Sequence, residues 1–598
     1  MKRRKTDYGT VILHWLLVAA FAVALLSGLR IATAAPERGW INLFDAVLPR
    51  ESVWNAHMQA AVVLVAVALA YAIYVVRSGL GRRIRLDRIR LRGLFGRGQA
   101  RLGALNIVLT WVFFVTMLAL IGSGGLLYFG VYAGHDVAML HWWGTWIILA
   151  FAGFHVLAQH RIGGLSQLLR IFRPARLPAP PAQLDAVELL SLLVEQSARL
   201  PPEPERTAAP PGRTAKPKSA TLQSNPFVVA AAVAITGASF VVAADRLTVD
   251  RLQIHRINQA EAPILDGDTS DRAWRNIRPF SLMTSEGGNF DGNGETRIEI
   301  RAVHDGTWAY FLFTWEDPTR SLKHLPLIKQ VDGWHVLHQG LETGDEHEFN
   351  EDKFSVLLTT SDAILAGDRT FHAGPQPVPG APATMTGRGL HFTEGGYVDV
   401  WQWKATSGGP TGWIDDAHFG PPLDPTPMQI GNVVPYKGGF APDPGTANYM
   451  DNFIIDADAA GGSRMIAPRR LPRDLAATTA AMGDVDIDAN HGESDGARWF
   501  MTESESVAYS RELDARIPAG TVIPGVLVAG EFSGDRADVR CAARWASGHW
   551  ALEVARRLDT GSAYDVPIRS GVFMRVAAFD HSQIRHTRHV RPIRLEVE

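Results

Sequence analysis

A single cysteine, Cys541, in 598 residues removes several chemistries at once. One thiol cannot build an intramolecular disulfide framework, a zinc–cysteine site, a four-thiolate iron–sulfur cluster or a Cys-x-x-Cys-His haem attachment. Dinucleotide and molybdopterin motifs are missing as well, so the chain reads as a carrier rather than as the site of substrate chemistry. Acidic residues are scarce at the start: residues 1–225 hold 11 Asp+Glu against 25 Lys+Arg, whereas 226–598 hold 50 against 34, so the net charge of −2 conceals two halves of opposite sign. A basic half suits either nucleic acid or an anionic membrane face. Hydropathy decides for the membrane and against nucleic acid, and the length requires at least two domains.

Apolar runs long enough to cross a hydrocarbon core, about 20 helical residues, occupy roughly 9–29, 55–76, 104–129, 137–159 and 227–244. Lys2-Arg3-Arg4-Lys5, the arginines from Arg77 to Arg101 and those from Arg161 to Arg176 place the N-terminus in the cytoplasm. The first run lacks a small-residue cleavage site and is followed by further spans, so it is expected to remain in the protein. The expected organisation is a four-helix transmembrane domain over 1–173, a cytoplasmic Pro-rich linker over 174–225, a fifth transmembrane helix over 226–245 and a periplasmic β-sandwich over 246–598. Within the linker, leucines between Leu184 and Leu200 have the spacing of an amphipathic helix or of a plain solvated one. After 245 the pattern turns to period two. Ile298 to Val303, the turn His304-Asp305-Gly306 and Trp308 to Trp315 predict a hairpin, and Phe354–Leu358, Val398–Trp403 and Leu552–Val554 predict further strands.

Four histidines lie in the spans: His14 in the first, His57 in the second, His141 and His155 in the fourth. Fourteen residues advance a helix by about 21 Å and bring it within about 40° of whole turns, so His141 and His155 share a face at two depths. With the topology above, His14 is level with His155 near the cytoplasmic side, and His57 with His141 near the outer side. Two imidazoles facing each other across a bundle are the axial ligand set of a six-coordinate haem, so two haems b are expected. Single intramembrane histidines also serve as interhelical hydrogen bonders, and four at matched depths favour the haem reading. Gly28, Gly122, Gly124 and Gly125 are either helix-packing residues or places where a porphyrin approaches backbone. His135 and His160, at span ends, read as interfacial residues, with contact to a haem propionate or a quinone as the alternative.

Asp7-Tyr8-Gly9 leading into Val11-Ile12-Leu13-His14-Trp15, with His57 and the His141/His155 pair, resembles the bacterial cytochrome b561-like family that includes the membrane subunits of nickel hydrogenases and formate dehydrogenases. That resemblance implies that the fourth helix ligates both haems, that the first and second helices supply one partner each, and that electrons are exchanged with quinone.

In the outer half, Asp266-Gly267-Asp268-Thr269-Ser270-Asp271-Arg272-Ala273-Trp274, the hairpin ending Trp315-Glu316-Asp317, and Tyr436-Lys437-Gly438-Gly439 resemble the haem-binding subunit family of ethylbenzene dehydrogenase. The resemblance implies a sandwich related to carbohydrate-binding modules that holds one haem b through a methionine and a lysine. Met283 and Lys437 are the matching candidates for that iron, with Lys404 as the competing lysine. The alternative for this half is a metal or haem site among His324, His335, His338 and His347.

The expected function is respiratory electron transfer between the membrane quinone pool and a periplasmic redox protein or catalytic subunit, in the bacterial inner membrane. The competing reading is a membrane-anchored ligand-binding or sensory module whose membrane histidines are structural.

Overall fold

The structure, a computed structural model, describes residues 6–33, 35–50, 52–130, 134–175, 225–341, 344–360, 371–372, 377–382, 390–431, 434–455 and 466–598. The expected helix at Leu184–Leu200 lies outside them, as does nearly all of the linker.

Among the described residues, five helices are long and apolar enough to cross a membrane: α1 (Tyr8–Ala32), α2 (Val53–Arg77), α3 (Gln99–Phe129), α4 (His135–Leu168) and α5 (Pro226–Leu247). Each covers its expected span; α4 runs to Leu168, well past the expected end at 159. Lipid offers the backbone no hydrogen bonds, so a run without charges closes its bonds within a helix. Asp7 caps α1, accepting the Thr10 N–H at 2.8 Å and the Tyr74 hydroxyl at 2.7 Å. A Cβ on Gly9 would stand 2.2 Å from the Tyr74 ring, so Asp7-Tyr8-Gly9 is a joint between α1 and α2. Helical geometry in α4 breaks at Gly163 and Gly164, the latter at φ +62°.

The chain divides into two compact units. The first comprises Met1–Phe21, Ala61–Met117 and Trp146–Val241; the second comprises Ala22–Ala60, Leu118–Thr145 and Val242–Glu598. His14 and His155 fall in the first, His57 and His141 in the second with the β-rich domain.

That domain is built on one twelve-stranded sheet. Its strands are β1 (Arg251–Arg256), β2 (Phe280–Thr284), β3 (Thr296–His304), β4 (Trp308–Glu316), β5 (Lys353–Thr359), β6 (Val398–Lys404), β7 (Asp415–Phe419), β8 (Phe440–Pro442), β9 (Val539–Ala546), β10 (His549–Arg557), β11 (Phe573–Phe579) and β12 (Ile593–Val597). Their order is β8-β7-β6-β5-β11-β12-β1-β3-β4-β10-β9, with β2 also on β3. The sheet folds over itself. Phe313 and Trp315 of β4 meet Phe354 of β5 at ring-centroid distances of 4.9 and 4.7 Å, and Phe311 meets Trp401 of β6 at 5.8 Å. Side chains alternate across a strand, so these aromatics fill the space between two layers, each fully buried ring contributing about 1.5–3 kcal/mol.

The expected hairpin forms with Ile298 opposite Trp315. Asp305 closes its turn by accepting the N–H groups of Thr307 and Trp308 at 2.8 and 2.7 Å, and Gly306 takes φ +96°. The segment from Asp266 to Trp274 is held on buried Glu553, which accepts from the Trp274 indole at 2.8 Å and from the N–H groups of Asp266 and Gly267 at 3.0 and 2.9 Å.

Within the second unit the sandwich grips the helix ends through Arg591. Its guanidinium lies 3.6 Å from the carboxylates of Asp245 and Asp250 and 5.1 Å over the Phe129 ring. Glu295 accepts the His135 N–H at 2.5 Å, occupying the start of α4, where a carboxylate is favoured by the helix dipole.

Candidate haem sites

His57 and His141 stand in the second turn of α2 and α4, and their ring centroids are 6.4 Å apart. An iron held about 2 Å from a nitrogen of each ring would require a centroid separation of about 6 Å, so His57 and His141 are spaced as two residues that would hold one haem iron between them.

Their hydrogen bonds fix which nitrogen is free. The Nδ1 of His57 lies 3.0 Å from the Ala24 carbonyl, which can only accept, so Nδ1 carries the proton. It lies 3.1 Å from the Ser27 hydroxyl, which donates its own hydrogen to the Val23 carbonyl at 2.6 Å and therefore accepts from the ring. In the same way the Nδ1 of His141 lies 3.0 Å from the Ser123 hydroxyl, itself within 3.2 Å of the Leu120 carbonyl. Both rings keep Nε2 as a lone-pair donor, the tautomer an axial ligand needs.

Ser27-Gly28 on α1 and Ser123-Gly124 on α3 make two matching saddles. A Cβ on Gly28 would lie 3.0 Å from Cε1 of His57, and one on Gly124 3.1 Å from Cε1 of His141, while Gly122 and Gly125 face open space. Gly28 and Gly124 thus make room for the His57 and His141 imidazoles. Sequence reasoning missed the two serines, although the repeated Ser-Gly on alternate helices was a readable signal.

In the first unit, His14 packs edge-on against Trp15 at 5.6 Å and His155 against Phe151 at 5.4 Å. The Nδ1 of His155 is buried with no hydrogen-bond partner among the described residues. The observed role of His135 is a main-chain one, its N–H bound by Glu295.

The outer lysines separate clearly. Lys404 donates to the Asp415 carboxylate and the Tyr449 hydroxyl, each at 2.5 Å. Burial opposes its charge, but Asp415 overcomes it and raises the amine above the ordinary lysine range. A cation so engaged has no lone pair for iron. Lys437 lies with its amine 5.6 Å from the Phe440 ring. Burial, then the like charge of Lys404, lowers its pKa, although the residue is exposed. An amine whose proton is loosened in this way is easier for a metal to claim.

Leu282 packs against the core between the layers, so alternation turns Met283 to the outer face of the layer containing β3 and β4. Trp401 and Trp403, in the same core, likewise turn Lys404 to the outer face of the other layer.

The histidine group does not assemble. His324 pairs with Asp451 at 3.3 Å and Glu351 at 3.4 Å, His335 with Asp332 at 2.9 Å, and Nδ1 of His347 lies 2.8 Å from the Asp345 carbonyl. Neither they nor His338 join a metal-ligand group among the described residues.

Asp415 yields a prediction. Burial raises its pKa, but Lys404 and Arg536 prevail and hold it at about 2, below the unfolded value of about 3.9. Its stabilising contribution is complete above about pH 4 and lost as the pH falls towards 2. Lys404→Met, which leaves Arg536 in place, is expected to cost about 1–3 kcal/mol at pH 7 and to flatten this acid limb. Thermal midpoints measured from pH 3 to 7 test it; parallel curves for both proteins would refute the assignment.

Residues 271–591 match the ethylbenzene dehydrogenase family, and residues 5–174 match prokaryotic cytochrome b561. No curated protein matches the chain. Among solved structures, a family 9 carbohydrate-binding module from Caldicellulosiruptor kristjanssonii in complex with glucose aligns at 8% identity over 58% of this chain and 95% of its own, with a TM-score of 0.22. A protein described as carbohydrate-binding, from Bacteroides uniformis, aligns at 7% identity over 59% and 100%, also with a TM-score of 0.22. At that score neither likeness supports an argument.

Proposed function

We propose, on the premise that this chain belongs to the ethylbenzene dehydrogenase family through residues 271–591 and to prokaryotic cytochrome b561 through residues 5–174, that it passes electrons between the membrane quinone pool and a periplasmic redox partner. Its membership makes it a membrane b-type cytochrome. The observation that carries the finer reading is the 6.4 Å apposition of His57 and His141, both with Nδ1 protonated by their bonds to α1 and α3.

In this reading His57 and His141 hold one haem b, and His14 and His155 a second. Haem iron bound there supplies one-electron exchange between its ferric and ferrous forms. The protein's part is to present two neutral imidazoles, orient them through Ala24, Ser27 and Ser123, and exclude water with five apolar helices. Arg591 keeps the sandwich beside the ends of α3 and α5, in the unit that holds His57 and His141, so a partner docking on the sandwich meets the outer site. The basic flanks assign that side to the periplasm of an inner-membrane protein. Met283 and Lys437 are the residues that would hold a third haem in the sandwich, and no electron step is assigned through it.

Two measurements on membranes test the proposal. Added quinol should reduce a b-type chromophore with two resolvable components. A reporter active only outside the cytoplasm should be active when fused after residue 250 and silent near residue 90. A colourless protein would favour the ligand-binding module, and the inverse reporter pattern would exchange the two sides.

A further inference from the structure

Three carboxylates meet where three strands of the sandwich end. Asp317 directly follows β4, Asp352 directly precedes β5 and Asp580 directly follows β11. Asp317 and Asp352 are wholly buried and Asp580 is 1% exposed, and one oxygen of each lies within 4.8 Å of the other two. Main-chain and side-chain donors hold them in place. Asp352 accepts from the Ser321 N–H at 2.7 Å, the Trp550 indole at 3.1 Å and the His581 N–H at 3.2 Å. Asp580 accepts from the Phe290 N–H at 2.7 Å, the Thr319 hydroxyl at 3.3 Å and the His581 ring at 2.5 Å. Asp317 accepts from the Thr319 N–H at 3.3 Å through Oδ1, and its Oδ2 is buried with no partner among the described residues.

No lysine or arginine among the described residues pairs with the three. The nearby bases spend their donors on main-chain carbonyls, Arg320 on Ser494 and Ala497 and Lys353 on Gln583. A second buried triad, Asp399, Asp416 and Asp565, makes the contrast: Arg556 enters it, 3.0 Å from Asp399 and 2.8 Å from Asp565. The first triad has only the His581 ring against three acids. Uncompensated buried carboxylates must either take up protons or bind a cation. Burial and mutual repulsion push the Asp317 and Asp352 carboxyls upward. Oxygens placed about 2.3–2.6 Å from a common ion stand up to about 5 Å apart, which is the spacing here.

We propose that Asp317, Asp352 and Asp580 bind a divalent hard cation, calcium in preference to magnesium, that ties the ends of β4, β5 and β11 together. The donors are all oxygen, which excludes the softer metals. Three converging carboxylates in a dry site suit calcium, whereas magnesium keeps several waters and uses one or two carboxylates. The cation would also steady the segment after Asp580, which leads to Arg591 and its hold on the helix ends.

The test uses the full chain in detergent, stripped with EDTA and then supplied with calcium or magnesium. Elemental analysis should find about one calcium retained per chain. EDTA should lower the thermal midpoint of tryptophan fluorescence by about 5 °C, restored by calcium and not by magnesium. Asp317→Asn combined with Asp580→Asn should abolish both the bound metal and the calcium-dependent shift while leaving the membrane haem spectrum unchanged. The wild-type calcium titration keeps the test decisive should that variant not fold. Absence of stoichiometric metal, together with a higher midpoint for Asp317→Asn in EDTA, would show that the acids are simply protonated and overturn the proposal; restoration by magnesium alone would overturn the choice of calcium.

Discussion

His141→Ala is expected to abolish one of the two b-haem components and to lower haem content by about half, because losing one strong axial ligand leaves the iron poorly held. His57→Ala should remove the same component, since its ring stands 6.4 Å from that of His141 and no other described histidine shares that site. His14→Ala and His155→Ala should each remove the other component. Redox titration of purified membranes resolves the four cases. Ser123→Ala and Ser27→Ala should keep both haems and shift the midpoint of the His57/His141 component alone, because each serine accepts a proton bond from its ligand ring and so tunes its basicity. Loss of a single component common to His57→Ala and His14→Ala would show that the depths were matched wrongly.

Arg556→Leu is expected to destabilise the sandwich by about 3–5 kcal/mol. Arg556 is wholly buried between Asp399 and Asp565, donates to the Val566 carbonyl at 3.1 Å and lies 5.2 Å over the Trp401 ring. Both carboxylate oxygens of neighbouring Asp416 lack hydrogen-bond partners among the described residues, so removing the guanidinium strands three acids in an apolar core. Burial already raises the Asp399 pKa to about 7, against the pull of Arg556. A folded pKa above the unfolded value of about 3.9 means stability that is full below pH 4 and declines as the pH rises towards 7. The variant should steepen and extend that decline, and Asp399→Asn in the same chain should recover part of the loss. Equal unfolding midpoints for Arg556→Leu and the parent at pH 5 and 8 would remove the basis for this account.

Some of this architecture is legible one residue at a time. A run of about 20 apolar residues can only close its hydrogen bonds as a helix in lipid, so all five spans were readable, though the polar continuation of α4 to Leu168 was not. Alternation with Asp-Gly turns made the hairpin of β3 and β4 equally plain. The depth of each membrane histidine also follows from counting, because a helix converts sequence distance into height at a constant rate.

Convergence does not follow from counting. Lys404 and Lys437 are equal candidates by composition, yet the fold spends Lys404 on Asp415 and Tyr449. Asp317, Asp352 and Asp580 are scattered over the outer half and carry no spacing signal, because what gathers them is the order of strands in a folded sheet. The sequence by itself determined the membrane spans, the strand periodicity and the level of each histidine, all of which depend on local hydrogen bonding and hydropathy. Only the tertiary structure decided which nitrogen His57 and His141 leave free, which lysine is neutralised by a carboxylate and which acids share a buried site, because those outcomes depend on groups brought within a few ångströms from distant parts of the chain.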